Sequence, residues 1–119
     1  MPGISVHVVD VSRGLPARGM RVEVTRIEPD GTRRRVGGGE IGDGGLLDDG
    51  ALGRGDGVIA GLYEVELAVG DWFRAQGVDV GQPAFQESIV YRFGHAVPAE
   101  HVHLPIKLSP WGVSVWRGH

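Results

Sequence analysis

The sequence predicts an all-β protein, an antiparallel β-sandwich of about seven to eight short strands with one short helix. Three observations point there. Apolar and polar residues alternate with a period of two in run after run, the mark of half-buried strands. Glycine takes 21 of the 119 positions, many between Gly31 and Gly61, and so many freely turning residues argue against long helices. The runs are short and are separated by turn-forming segments such as Pro29-Asp30-Gly31. A chain of 119 residues suits one core and is too short for two, so a single domain over residues 1–119 is expected.

Residues Ile4 to Val11 read as the first strand, with Ile4, Val6 and Val8 on the apolar face and Ser5, His7 and Val9 on the other. Arg13-Gly14-Leu15-Pro16 is a turn. Met20 to Glu28 alternates again, Val22 and Val24 opposing Arg21, Glu23 and Thr25, and Thr32 to Val36 is a third strand whose three arginines suit a solvated face. Gly37 to Gly61 reads as loop, with a short edge strand near Glu40-Ile41. Leu62 to Val69 sets Tyr63, Val65, Leu67 and Val69 against Leu62, Glu64, Glu66 and Ala68. Asp71 is a good N-cap for the helix, Trp72 to Gln76, which Gly77 ends. Gln86 to Phe93, Val97 to Leu108 and Val113 to Arg117 complete the strands. Trp72, Phe73, Phe85 and Phe93 are expected in the core, and His95, beside Gly94, at a surface turn.

The last nineteen residues, His101 to His119, concentrate the chemistry. Two strands meet at a Ser109-Pro110-Trp111-Gly112 corner. Val102, Leu104, Ile106 and Leu108 share the core face, while His101, His103, Pro105 and Lys107 share the other. On the second strand Ser114 and Trp116 oppose Val113 and Val115. One sheet face thus gathers two imidazoles, an ammonium, a hydroxyl and an indole. Polar side chains also cover the outer face of any half-buried sheet, so the set alone does not define a site.

The order His101-x-His103-x-Pro105, three further residues, Ser109-Pro110, and Arg117-Gly118 just before the terminus resembles the C-terminal signature of the transthyretin-like 5-hydroxyisourate hydrolases. The opening from Ile4 to Ala17, with His7, Asp10, Ser12-Arg13-Gly14 and Pro16-Ala17 in register, is similar to the same family's. The two motifs bracket the chain, and the middle matches loosely. The resemblance implies a transthyretin-like sandwich assembled as a homotetramer, a dimer of dimers, with sites in a channel where two dimers meet. It implies hydrolysis of a small heterocycle, 5-hydroxyisourate, in purine breakdown. It carries catalytic roles onto His7 and His103, and the facing positions Ser114 and Trp116 join them, although the family usually has tyrosine at the latter. Opening a strained cyclic amide with water needs a base near neutrality, which imidazole supplies, and a cation or N–H donors for the developing oxyanion. That scheme requires no cofactor and no metal.

Two departures from the family pattern bear on mechanism. Its Asp-Gly-Arg falls on Asp43-Gly44-Gly45 or, in another register, on Asp49-Gly50-Ala51, and neither carries the arginine. Lys107 stands where leucine is usual: either the cation has moved there, with the ammonium reaching back toward His103, or Lys107 snorkels to water; Arg54 in the glycine-rich loop is a second replacement candidate. His119, in place of the family's terminal serine, and Pro105 complete the expected substrate surface. Alternatives stay open: a paralogue acting on another cyclic amide, a carrier of small hydrophobic ligands, or a zinc or copper site built from His101 and His103 with His7 or His119. His101 itself suits packing or hydrogen bonding at the strand edge.

Composition sets further bounds. A net charge of −3 with scattered arginines disfavours nucleic acid. Without cysteine there is neither disulfide nor thiolate chemistry. No apolar segment has the length of a membrane span or of a signal h-region, so a cytoplasmic, membrane-free protein is expected.

Overall fold

A computed structural model describes residues 2–119. In chain order the elements are β1 (Gly3–Asp10), β2 (Leu15–Pro16), β3 (Arg21–Ile27), β4 (Arg33–Glu40), α1 (Gly50–Arg54), β5 (Gly61–Leu67), α2 (Val69–Ala75), β6 (Ile89–His95), β7 (His101–Leu108) and β8 (Val113–Val115). They form two four-stranded sheets, ordered β2-β1-β7-β8 and β4-β3-β5-β6. The alternating residues of both sheets meet in one core: Ile4, Val6, Val8, Leu104, Ile106 and Leu108 from the first, Val22, Val24, Tyr63, Val65 and Leu67 from the second. Burying each large aliphatic side chain contributes roughly 1.5–3 kcal/mol. The predicted β-sandwich is what these residues build.

Four details differ from the sequence reading. The pairings are antiparallel except one: β1 and β7 run parallel. A hairpin enforces antiparallel neighbours, but β1 and β7 lie at opposite ends of the chain with the whole second sheet between them, so no tight turn constrains their direction. There are two helices among the described residues. The extra one, α1, begins at Asp49, whose carboxylate accepts from the Leu52 N–H at 3.0 Å and the Gly38 N–H at 2.9 Å, and ends on Gly55 at φ +88°. An N-cap aspartate and a left-handed glycine are ordinary helix signals, masked here by the glycines around them. Helix α2 starts earlier than predicted, with Ala68 rather than Asp71 at its N-cap; Asp71 lies in the first turn and pairs with Arg74 at 3.0 Å. Strand β4 continues through Gly37–Gly39 because Gly38, at φ +145°, lies where a Cβ would stand 2.5 Å from the Val22 carbonyl oxygen.

The N-terminal Asp-x-Ser-Arg motif has a structural explanation. Asp10 is fully buried and accepts from the Ser12 N–H at 2.9 Å, the Ser12 hydroxyl at 2.5 Å and Arg13 Nε at 2.7 Å. The Arg13 guanidinium then lies 5.3 Å from the Trp72 ring centre, tying this turn to α2. At the other end of the chain, the Gln86 amide donates to the Ser109 and Gly112 carbonyls at 2.8 and 3.0 Å and so braces the Ser-Pro-Trp-Gly corner.

Two placements overturn the sequence reading. Phe85 is exposed, stacked loosely on exposed Trp111 at 6.1 Å rather than buried. His95 is buried, not at the surface: it closes β6, paired with Gly61 and 6.3 Å from the Tyr63 ring, and its Nε2 has no hydrogen-bond partner among the described residues. The alternation of β6 carries it inward past the glycine. Burial, and secondarily Arg117, lowers its pKa from the usual 6.5. A histidine with a lowered folded-state pKa is protonated first in the unfolded chain, so stability is fully present above the unfolded value and falls as pH drops below it. Chemical denaturation should show stability declining between about pH 7 and pH 5, and His95→Phe should flatten that decline. An equal slope in the variant would place the acid-sensitive group elsewhere.

Candidate active site

The parallel register of β1 and β7 builds the site. It sets Ser5 level with His103, His7 with Pro105, and Val9 with Lys107. On the far side of β7, Ser114 of β8 stands level with Lys107. The core-facing neighbours Val102, Leu104, Ile106 and Leu108 are all buried, so alternation turns His101, His103, Pro105 and Lys107 to the outer face with Ser5 and His7. The His7 and His103 rings lie 6.5 Å apart, inclined by 38°.

Each imidazole is held. Ser5 Oγ is 2.6 Å from His103 Nδ1 and 2.7 Å from His101 Nε2, one hydroxyl shared by two rings. His7 Nε2 donates to the Gly44 carbonyl at 3.0 Å, so that nitrogen carries a proton, and in the neutral ring Nδ1 is the acceptor. His103 is half-buried. Burial, and secondarily the nearby His7 and His101, lowers its pKa from 6.5. It is therefore neutral at pH 7, the state in which an imidazole accepts a proton.

The C-terminal tail completes this surface. Pro105 has no N–H to offer, and β8 stops at Val115, level with Ile106. Pairing resumes one step on: the Gly118 N–H donates to the His103 carbonyl at 2.8 Å, and the His103 N–H donates to the His119 carbonyl. A Cβ at position 118 would lie 2.7 Å from Pro105 Cγ and 3.2 Å from His103 Cδ2. The glycine of the Arg-Gly motif thus lets the tail close over the base. His119 contributes its carbonyl here, while its side chain is exposed.

The cation needs a correction of distance. Positions 103 and 107 are four residues apart, about 13 Å along a strand, and the register pairs Lys107 with Val9, four pairs from Ser5 and His103. The Lys107 Nζ lies 5.6 Å from the centre of the Trp116 ring. Lysine and tryptophan are thus a cation–π pair. Arg54 ends α1, where its exposed guanidinium pairs with Asp56 at 3.2 Å. Its helix packs by Gly53 and Gly55 against Gly3, at the far end of β1 from Lys107.

Asp43-Gly44-Gly45, rather than Asp49-Gly50-Ala51, is the segment beside His7. Asp49 is spent on capping α1, whereas the Gly45 carbonyl accepts from the Val8 N–H at 2.8 Å. Gly45 adopts φ +94°, and a Cβ there would lie 2.7 Å from His7 Nε2. An arginine at this position would be strained by the left-handed backbone, and its Cβ would meet the imidazole. Ser5 was not singled out by the sequence, since only the parallel pairing brings it level with His103; its place on the His7 face was the available signal.

Metal ligation is poorly served by this geometry. His101 and His103 turn ring nitrogens onto one hydroxyl, and among the described residues no three His, Cys, Asp or Glu side chains are grouped to hold a metal ion. A cavity of about 440 Å³ lies on the other sheet, lined by Arg26, Glu28, Pro29, Ile59 and Leu62, and holds no imidazole. None of the helices is long and apolar enough to cross a membrane among the described residues.

A two-sheet sandwich whose parallel β1–β7 pair presents a histidine-bearing outer face defines a transthyretin-type protein. The chain belongs to the HIUase/Transthyretin family, whose model matches residues 4–118. It is 38% identical over 115 residues to 5-hydroxyisourate hydrolase 2 of Rhizobium meliloti (strain 1021), covering 97% of this chain and 94% of that one. The structure of Klebsiella pneumoniae 5-hydroxyisourate hydrolase superposes with a TM-score of 0.77 at 26% identity, covering 100% of both chains. That of (S)-allantoin synthase gives 0.84 at 30% identity; it matches 98% of this chain, which spans only 43% of that longer one.

Proposed function

We propose that this protein is a hydrolase that opens a cyclic amide with water, with 5-hydroxyisourate as its substrate in purine breakdown. The observation that carries the reading is the pair His7 and His103, on one outer face, in opposite hydrogen-bonding environments and within 6.5 Å of each other. His103 acts as general base toward water, since its Nδ1 is engaged by Ser5 and its Nε2 is the nitrogen left for a proton. His7, with Nδ1 as acceptor, orients the water or the substrate. Lys107 supplies the charge that stabilises the developing oxyanion, Ser114 offers a hydroxyl at its level, and Pro105, Trp116 and His119 border the heterocycle. Arg54, committed to Asp56, is set aside as the cation.

The imidazole face is an open sheet surface in one subunit, with Trp116 41% exposed. Water exclusion from such a face needs a second copy laid across it, which supports the homotetramer with sites between dimers. Sedimentation at micromolar concentration is expected to give the tetramer; a 12.7 kDa species alone would contradict an interface site.

A specific observation favours a second reading. The chain has Gly45 where the resemblance expects an arginine, and a lysine, Lys107, where it expects leucine. A point charge without a planar fork orients a substrate less tightly, which suits another small cyclic amide. Disappearance of 5-hydroxyisourate beyond its spontaneous rate, compared with a panel of small cyclic amides, separates the two. Tight binding of the heterocycle without any acceleration would leave only a carrier.

A further inference from the structure

We propose that Ser5 and His101 form a proton relay that sets the tautomer of His103 and drains the proton it collects. The inference rests on His103 being the base of the proposed hydrolysis and assigns that base its support. Ser5 Oγ lies 2.6 Å from His103 Nδ1 and 2.7 Å from His101 Nε2. A hydroxyl has one proton, so it donates to one ring and accepts from the other. If Nδ1 of His103 is the donor, its Nε2 keeps a lone pair for water, and the Ser5 proton points at His101 Nε2. The opposite arrangement would place the proton on His103 Nε2 and disable the base. The base reading therefore fixes the direction of the whole chain.

When His103 Nε2 takes a proton from water, the ring becomes an imidazolium. Its Nδ1 proton passes to Ser5 Oγ as the Ser5 proton passes to His101 Nε2. The balance is one proton moved from His103 to His101, with no electron transferred; His103 is left as Nε2–H, and the starting tautomers return by the reverse shift when that proton passes to the leaving nitrogen and His101 regains a proton from solvent. His101 is half-buried at the start of β7, beside the half-exposed pair Arg117 and Glu100, and releases the proton toward solvent. The titratable and charged groups facing the pair are His7 on β1, His95 at the end of β6, and Glu100 and Arg117 beside His101. Ser5 and His101 act through His103 and are positioning residues.

Nitrogen-15 NMR of the imidazoles tests this without relying on turnover. At mildly alkaline pH, wild-type His103 should be the Nδ1–H tautomer and His101 should be unprotonated at Nε2. Ser5→Ala should turn His103 into a tautomer mixture, and Ser5→Thr, which keeps the hydroxyl, should restore it. In kinetics, Ser5→Ala and His101→Phe should each lower kcat by about 10- to 100-fold, part of what positioned proton transfer supplies, with KM unchanged and recovery in Ser5→Thr. His103 found as Nε2–H in the wild type, or with the same tautomer in Ser5→Ala, overturns the relay. Absence of wild-type turnover on 5-hydroxyisourate would instead remove the substrate assignment, and the tautomers would still decide the relay.

Discussion

His103→Ala is expected to lower the rate of 5-hydroxyisourate opening by about 100- to 10,000-fold, the usual contribution of a positioned general base. The fold should survive. The imidazole stands on the outer face, and the core beneath it is filled by Val102 and Leu104, which the substitution does not touch. Ser5 loses one of two partners but keeps His101 at 2.7 Å, so no buried polar group is orphaned. Thermal unfolding of the variant should therefore match the wild type while turnover collapses. Undiminished turnover in a folded His103→Ala protein would remove this residue from the mechanism.

Lys107→Leu should have the second largest effect. It brings back the residue the family usually carries, so resemblance alone expects no loss. The physical reading expects the reverse: removing the only donor of positive charge assigned to the oxyanion should cost about 100- to 1,000-fold in kcat, as deletion of an oxyanion donor does. The side chain is exposed and its partner is the Trp116 ring, so stability should barely change. Gly45→Arg in the same background should not rescue activity. At φ +94° with His7 Nε2 2.7 Å from the would-be Cβ, the new residue strains the backbone by about 1–3 kcal/mol and displaces His7. Steady-state kinetics on both variants decide this; full activity in Lys107→Leu would show that the charge lies elsewhere.

Much of this was legible in the sequence because period-two alternation is a local property. It put His7, His103, Lys107, Ser114 and Trp116 on outward faces, and Leu104 and Ile106 inward, without reference to any neighbour. What it left unread is non-local or conformational. The parallel β1–β7 register, which pairs residues about a hundred positions apart, is invisible to alternation, and with it the Ser5 bridge between His101 and His103. Helix α1 was hidden because glycine lowers helix propensity even where an aspartate cap and a left-handed end compensate. The glycine beside His95 suggests a turn, whereas Gly94 continues β6 opposite Leu62 and carries His95 inward. The lack of room for a side chain at Gly45 depends on a backbone angle and a ring position that no residue count supplies.

The pH dependence of kcat/KM tests the central claim, that His103 is the base, most directly. Burial, with His7 and His101 nearby, lowers the His103 pKa, so the neutral base persists to lower pH than a free imidazole and the acid limb of the wild-type profile should lie below about 6.5. In His103→Ala that limb should vanish, leaving a small rate without it. A profile in which the same acid limb persists after His103 is removed would contradict the assignment and pass the role of base to another group.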